Sequence, residues 1–301
     1  MTQQICDWLR ETAGALTAVI RMEDAAPYVL PGKMQPPGST LILAAVPYYA
    51  GQTEGSVSLY ARGRDYHLVL RRLFADAAAA AHAELCGTFA DTSPFRETAL
   101  ASAAGLGQLG QNGLLLTKPY GSFVFLGELC GDFPGETVTL RAPEPCCGCG
   151  ACRRACPAAP TCLSEITQRR GALTEEEQAM MRRYHTAWGC DICQTVCPAN
   201  KQVQKSKLPA FCEELISDFD YESLKNLSNR AIERLYADRA FIWRGGAVIR
   251  RNAAILAGQD VSAPDHRPPD DTRQTKTVQT EPEGRRKLQK NTNRSNEAER
   301  L

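Results

Sequence analysis

Hydrophobic and polar positions along this chain keep changing period, and each change marks an expected element. Residues Met1 to Arg21 place apolar side chains among acidic and basic ones at helical spacing, which predicts one amphipathic helix. Residues 40–48 (TLILAAVPY) are a short unbroken apolar run between Pro-Gly and Gly51, as expected of a buried strand. Tyr66 to Leu85 is alanine-rich, with Leu70, Leu73 and Phe74 at helical spacing. Ser93 to Ala104 predicts a second helix with Pro94 near its start. Gly113–Thr117 and Ser122–Cys130 are rich in β-formers around a Lys-Pro-Tyr-Gly turn, which predicts a hairpin.

These elements make residues 1–141 an α/β (α+β) domain. A cysteine-rich segment follows over 142–201. Residues 202–260 regain helical periodicity in Asp220–Tyr236 and Ile242–Ala257. From Ser262 the chain is polar and rich in Pro, Thr and charge. It cannot bury enough apolar surface to offset ordering entropy, so 261–301 is expected to be a disordered tail.

The cysteines then change the picture. Cys146, Cys149, Cys152 and Cys156 spell C-x2-C-x2-C-x3-C before Pro157, and Cys190, Cys193 and Cys197 spell C-x2-C-x3-C before Pro198. A cubane cluster takes four thiolates, and in two-cluster proteins the Cys-Pro cysteine of each run crosses to the other cluster. This frame predicts a ferredoxin-like double [4Fe-4S] segment. Cys146, Cys149 and Cys152 share one cluster with Cys197. Cys190, Cys193 and Cys156 share the other, with Cys162 as the natural fourth ligand. Cys147 is the spare, because using it would leave a one-residue gap to Cys149. Disulfides would need an oxidising compartment, and the N-terminus carries no apolar signal sequence. Structural zinc favours paired C-x2-C knuckles rather than a triple run with a trailing Pro. Gly148, Gly150 and Gly189 would ease close backbone approach within the runs.

Composition adds limits. At 301 residues and 43% hydrophobic, the chain can bury a sizeable core. A net charge of +1 gives no global basic field, so a nucleic-acid partner would need a local patch. No stretch is long and apolar enough to span a bilayer. The expectation is a cytoplasmic monomer with no membrane partner. Gly105-Leu-Gly107-Gln-Leu-Gly110 matches G-x-G-x-x-G, but a helix is expected before it and a strand after it, the reverse of a dinucleotide fingerprint.

Further segments carry a family resemblance: Tyr60-Ala-Arg-Gly-Arg-Asp-Tyr-His67; Asp91-Thr-Ser-Pro with Glu97; Asn112 onward to Tyr120-Gly-Ser-Phe; Leu126-Gly-Glu-Leu129; and Gly189-Cys-Asp-Ile-Cys-Gln-Thr-Val-Cys-Pro-Ala-Asn200. Together these resemble epoxyqueuosine reductases, which complete queuosine formation on tRNA. Trp243-Arg-Gly-Gly through Gly258 is similar to the start of that family's HEAT-like helical region. The resemblance implies an oxidoreductase with cobalamin between the α/β domain and the clusters. It implies Asp91 as proton donor, corrinoid contacts at Leu115, Leu126 and Ser164, and Asp191 facing the cofactor. It also implies tRNA as substrate and an electron donor such as a ferredoxin or flavodoxin. The pattern departs from the family at Gln108 and Gln111, where a Trp and a Lys are common.

Alternatives remain at several positions. Asp91 before Thr-Ser-Pro also reads as a helix N-cap. Arg62, Arg64 and His67 would meet phosphates or cofactor amides, or simply begin the next helix on a solvated face. Arg153/Arg154, Arg169/Arg170, Arg182/Arg183 and Arg250/Arg251 are candidates for a basic patch. Two rival functions are a cobalamin and iron–sulfur reductase of a small molecule, as in reductive dehalogenases, and a two-cluster electron carrier.

Overall fold

The apolar run at residues 40–48 becomes strand β2 (Thr40–Pro47), and every residue of it is buried. In the computed structural model, which describes residues 1–51, 53–259 and 261, β2 lies inside a four-stranded antiparallel sheet. The order is β1 (Leu16–Arg21), β2, β6 (Val124–Gly131), β3 (Gly87–Phe89). Successive side chains of a strand face opposite sides. Ile42, Ala44 and Val46 pack with helices α1 (Thr2–Ala13) and α2 (Tyr66–Ala80), through Ile5, Leu9, Leu70 and Phe74. Leu41, Leu43 and Ala45 pack on the other side with Phe95 and, from α3 (Glu97–Ala103), Leu100. A strand covered on both faces has no solvated side, so its sequence shows no alternation. Each fully buried Leu, Ile or Phe here contributes roughly 1.5–3 kcal/mol.

The predicted N-terminal helix is half right. α1 ends at Gly14, whose φ of 68° lets the chain leave the helix in the left-handed region, with its N–H bonded to Arg10 O. Leu16–Arg21 then runs as a strand beside β2.

The predicted hairpin is replaced by a different pairing. β5 (Leu115–Leu116) pairs with β4 (Gln108–Leu109), while β6 pairs with β2 and β3. Only a local Thr117–Gly121 bridge remains at the expected turn. α3 starts at Glu97 rather than Ser93; Ser93 instead accepts the Phe95 N–H in a tight turn. The G-x-G-x-x-G stretch does join helix α3 to strand β4.

The cysteine-rich segment docks on the β4–β5 ribbon, with Leu109 N bonded to Glu144 O and Cys146 N to Leu109 O. Its short helices are α4 (Ala151–Ala155), α5 (Leu163–Gln168), α6 (Glu175–Arg183) and α7 (Ile192–Thr195). Beyond it comes α8 (Pro209–Cys212); the first expected C-terminal helix then breaks into α9 (Tyr221–Leu224) and α10 (Asn229–Leu235), because Asp220 and Ser228 each cap a new start, while the second forms as α11 (Gly246–Leu256). α11 is stitched into the cysteine-rich segment. Asn252, fully buried, donates to Thr167 O and Ala187 O, both at 2.7 Å.

The Arg250/Arg251 pair is therefore not a surface patch. Arg250 is buried and bonds Leu227 O, and Arg251 bonds the carbonyls of Thr167, Arg169 and Gly171. Residues 262–301, where a disordered tail is expected, lie outside the described residues. Among the described residues no helix is long and apolar enough to cross a membrane.

Candidate functional site

A cavity of about 700 Å³ opens where the sheet, the cysteine-rich segment and the C-terminal helices meet. Its apolar wall comes from Leu114, Leu115, Val124, Phe125 and Leu126. Ser164 and Gln168 on α5, Gln194 on α7, and Trp243 also line it. Tyr48, Tyr60, Tyr66, His67, Asp91 and Glu97 supply most of the remaining polar groups. The structure thus gathers the predicted proton donor Asp91 and three of the predicted cofactor contacts, Leu115, Leu126 and Ser164, around one space.

Asp91 is not a helix cap. α3 begins six residues later, after Arg96, with no side-chain cap. Asp91 has a φ of 60°, a left-handed conformation uncommon outside glycine, though aspartate is enriched there. Such backbone recurs where a side chain is held for a task. Its carboxylate, two-thirds exposed, accepts the Tyr66 hydroxyl at 2.7 Å and has His67 Nε2 at 3.9 Å. Tyr66 is itself fixed by stacking on Phe125, with ring centroids 4.3 Å apart. Burial and the nearby Asp91 charge push the Tyr66 hydroxyl well above its usual value, so it remains a donor.

His67 is oriented by Asp65, the N-cap of α2, which accepts both the His67 N–H and, at 2.8 Å, its Nδ1–H. That hydrogen bond raises the His67 pKa against the opposing effect of burial.

Arg62 and Asp191 take up structural positions outside the lining. Arg62, 2% exposed, donates through Nε to Val57 O and through Nη2 to Thr53 O. It braces the loop before α2 and is not among the residues lining this cavity, unlike the expected cofactor contact. Asp191 lies directly behind the lining. It accepts the Ser58 hydroxyl at 2.6 Å, the Leu59 N–H at 2.8 Å and the Gln194 amide at 3.1 Å. Burial raises its pKa, and these bonds oppose the rise. Asp191 thereby bolts the second cysteine run to the α/β layer and aims Gln194 at the cavity.

The cysteines fall into two neighbourhoods. Cys146, Cys149 and Cys152 line one small hollow together with Cys197 from the second run, and with Cys147. Cys162 lies close enough to Cys190 and Cys193 to perturb both thiols electrostatically. Burial pushes Cys190 up to about 11 and also raises Cys193. Cys156 closes α4 as its C-cap. Among the described residues no three Cys, His, Asp or Glu converge at the spacing of a single metal ion. A cubane binds each thiolate to a different iron, so its ligands need not meet at a point.

The second neighbourhood adjoins the cavity, since Gln194 follows Cys193 and Ser164 comes two residues after Cys162. Each neighbourhood reaches the surface, the first through exposed Cys147 and Cys149 and the second through exposed Cys162. The departures at Gln108 and Gln111 also fall here: Gln108 bonds Glu144, and Gln111 lines the hollow.

Three residues of the site stand in the segments that carry the family resemblance without a role assigned to them. Glu97 lines the cavity, and Glu128 on β6 lies behind it, 1% exposed. Trp243 stands at the cavity, 56% exposed, with the Arg244 guanidinium 3.6 Å from its ring centroid. For Glu128 a signal existed: a lone carboxylate inside the apolar run 124–131 is rarely buried without a purpose.

The family model described as "Epoxyqueuosine reductase QueG, DUF1730" matches residues 29–92. The chain is 35% identical over 228 residues to the epoxyqueuosine reductase of Lactococcus garvieae, covering 68% of this chain and 62% of that one. It is 33% identical over 252 residues to that of Gloeobacter violaceus, covering 74% of this chain and 73% of that one. The chain thus spans about three fifths of the Lactococcus protein's length. The solved structure of epoxyqueuosine reductase from Streptococcus thermophilus superposes with a TM-score of 0.71 at 24% identity, covering 85% of this chain and 80% of that one. The mixed α/β fold is therefore common to both.

Proposed function

The chain belongs to the epoxyqueuosine reductase family, and on that premise we propose that it is an oxidoreductase that converts epoxyqueuosine to queuosine in tRNA. The observation that carries this reading is the one cavity whose lining Asp91 shares with Ser164 and Gln194, which adjoin Cys162 and Cys193 in the chain. In this reading residues 1–141 form the cobalamin-binding catalytic layer, 142–201 the double [4Fe-4S] segment, and 202–260 the HEAT-like helical segment.

The donor set suits iron–sulfur clusters. Cys146, Cys149, Cys152 and Cys197 would hold one cluster, and Cys156, Cys162, Cys190 and Cys193 the other. The first, near exposed Cys149, would take electrons from a soluble donor such as a ferredoxin or flavodoxin. The second adjoins the cavity and would pass them inward. The apolar wall of Leu114, Leu115, Val124 and Leu126, with Ser164 and Gln194 also in the lining, suits a bulky macrocycle with amide groups at its edge. Bound there, cobalamin would supply a low-valent cobalt able to reduce the epoxide.

The protein's own share is positioning and protons. Epoxide opening leaves a developing alkoxide, and the Asp91 carboxyl group is placed to hand it a proton. Tyr66 and His67 hold that carboxyl from one side. Trp243, exposed at the cavity with Arg244 over its ring, offers a stacking surface for a splayed base, the usual way single-stranded RNA is read.

Full-length protein reconstituted anaerobically with iron, sulfide and cobalamin, and supplied with a chemical reductant, should convert epoxyqueuosine-containing tRNA. Asp91→Ala should abolish turnover and leave the cluster spectrum intact. Uptake of iron and sulfide without any corrinoid would overturn the reading.

A further inference from the structure

Glu97 opens α3 and lines the cavity beside Asp91. Behind it, Glu128 projects from β6, which pairs on either side with β2 and β3. The two carboxyl groups are in hydrogen-bonding contact. Two carboxylates cannot bond each other unless one carries a proton. Glu97 Oε1 and Glu128 Oε2 are buried without a hydrogen-bond partner among the described residues. The remaining neighbours are polar and local: the Asp91 N–H near Glu97 and Ser93 near Glu128 each favour the ionised form. Arg96, the neighbour that would neutralise the pair, turns away to Tyr28 and the Pro27 carbonyl.

The chemistry sets a second demand. Converting an epoxide to an alkene breaks two C–O bonds and forms one C=C. It consumes two electrons and two protons, and the oxygen leaves as water. A low-potential one-electron reductant supplies the electrons in two steps. Asp91 brings one proton per loading.

We propose that Glu97 is a second proton-carrying residue of the site, which reloads Asp91 through the cavity, while Glu128 keeps its own proton and donates to the carboxylate that Glu97 becomes. This rests on the deoxygenation proposed above. Burial, with the Asp91 charge in front, pushes Glu97 up to about 7, while the Asp91 N–H and Glu128 limit the rise. Burial and the Glu97 charge hold Glu128 well above the usual carboxylate range. The titratable groups facing the pair are Asp91 on the preceding loop, Tyr66 and His67 beyond it on α2, and Cys130 farther along β6. β2 and β3 place Leu43 and Phe89 opposite Glu128 and add no charge.

The signs follow. Glu97 is protonated below about 7, so turnover at saturating substrate should fall as pH rises through that value. Glu97→Gln should lower kcat about a hundredfold and remove this alkaline limb, and Glu97→Asp should restore part of both. Glu128→Leu removes the donor that stabilises ionised Glu97, so the limb should move to higher pH. Glu128→Gln keeps a donor and should leave the limb near its wild-type position.

A readout independent of turnover is the infrared band of protonated carboxylic acids in the full-length protein. It should lose one carboxyl near neutral pH in wild type, and that loss should be missing in Glu97→Gln. Wild type with no carboxyl titrating near neutrality overturns the proposal, as does a Glu97→Gln protein that keeps the wild-type pH profile. A wild-type protein that shows the infrared titration but does not deoxygenate epoxyqueuosine overturns the proposed reaction, and the relay with it.

Discussion

The Tyr66 hydroxyl lies 2.7 Å from Asp91 Oδ2 and donates to it, joining the first turn of α2 to a loop held at positive φ. This bond limits the freedom of a carboxylate that is otherwise two-thirds exposed. Tyr66→Phe keeps the ring stacked on Phe125 and removes only the donor. A hydrogen bond to a charged group contributes roughly 1.5–3 kcal/mol. If most of that acts on orientation, kcat should fall about tenfold to a hundredfold with little change in melting temperature. Equal loss in both measurements would mean that the bond serves folding instead.

Cys162 stands beside Cys190 and Cys193. Cys162→Ala should cost one cluster, lowering iron from about eight to about four atoms per chain after reconstitution. Two intact clusters by iron analysis and by electron paramagnetic resonance would remove Cys162 from the ligand set.

Gly189 immediately precedes Cys190 at φ 69°, and a Cβ there would lie 2.4 Å from Ser58 Cβ. Neither atom has room to retreat, because Ser58 is buried and bonds both Trp188 O and Asp191. Gly189→Ala should destabilise the protein by roughly 2–4 kcal/mol from strain and overpacking together. Thermal unfolding should show this as a drop of several degrees, with poorer cluster loading in the same sample.

His67 is raised above its ordinary pKa by the hydrogen bond to Asp65. A group with a raised folded pKa stabilises most where it is protonated in both states. The His67 contribution should therefore be complete below its unfolded value, near 6.5, and vanish as pH rises through the higher folded value. Denaturant melts of wild type and His67→Gln should differ most at mildly acid pH and converge at alkaline pH. Divergence growing with pH would reverse the sign and exclude this pairing.

Patterns that one short stretch can carry were legible in the sequence. β2 announces itself because both of its faces are buried, so its composition alone is decisive. β1 does not, because its apolar residues continue a plausible helical period through Gly14, and only the φ taken by that glycine ends α1. Asp91 stood out by its neighbours Thr-Ser-Pro, yet its bond to Tyr66 depends on α2 folding back over the loop. Glu97 and Glu128 lie 31 positions apart with no shared spacing, and only the packing of α3 on β6 brings them together. Arg62 was misread for a related reason. An arginine in a polar loop looks available to a ligand, and burial beneath Val57 and Thr53 is a property of the folded chain.

The hollow of Cys146, Cys149 and Cys152 is closed by Cys197, from the far end of the cysteine-rich segment. This arrangement has a consequence for biosynthesis. During translation three thiols emerge long before the fourth, so the growing chain passes through a stage with reactive sulfurs and no complete set of cluster ligands. On the proposed ligand assignment a cluster can close here only once Cys197 has emerged, so the three earlier thiols are most vulnerable to oxidants in the interval before it.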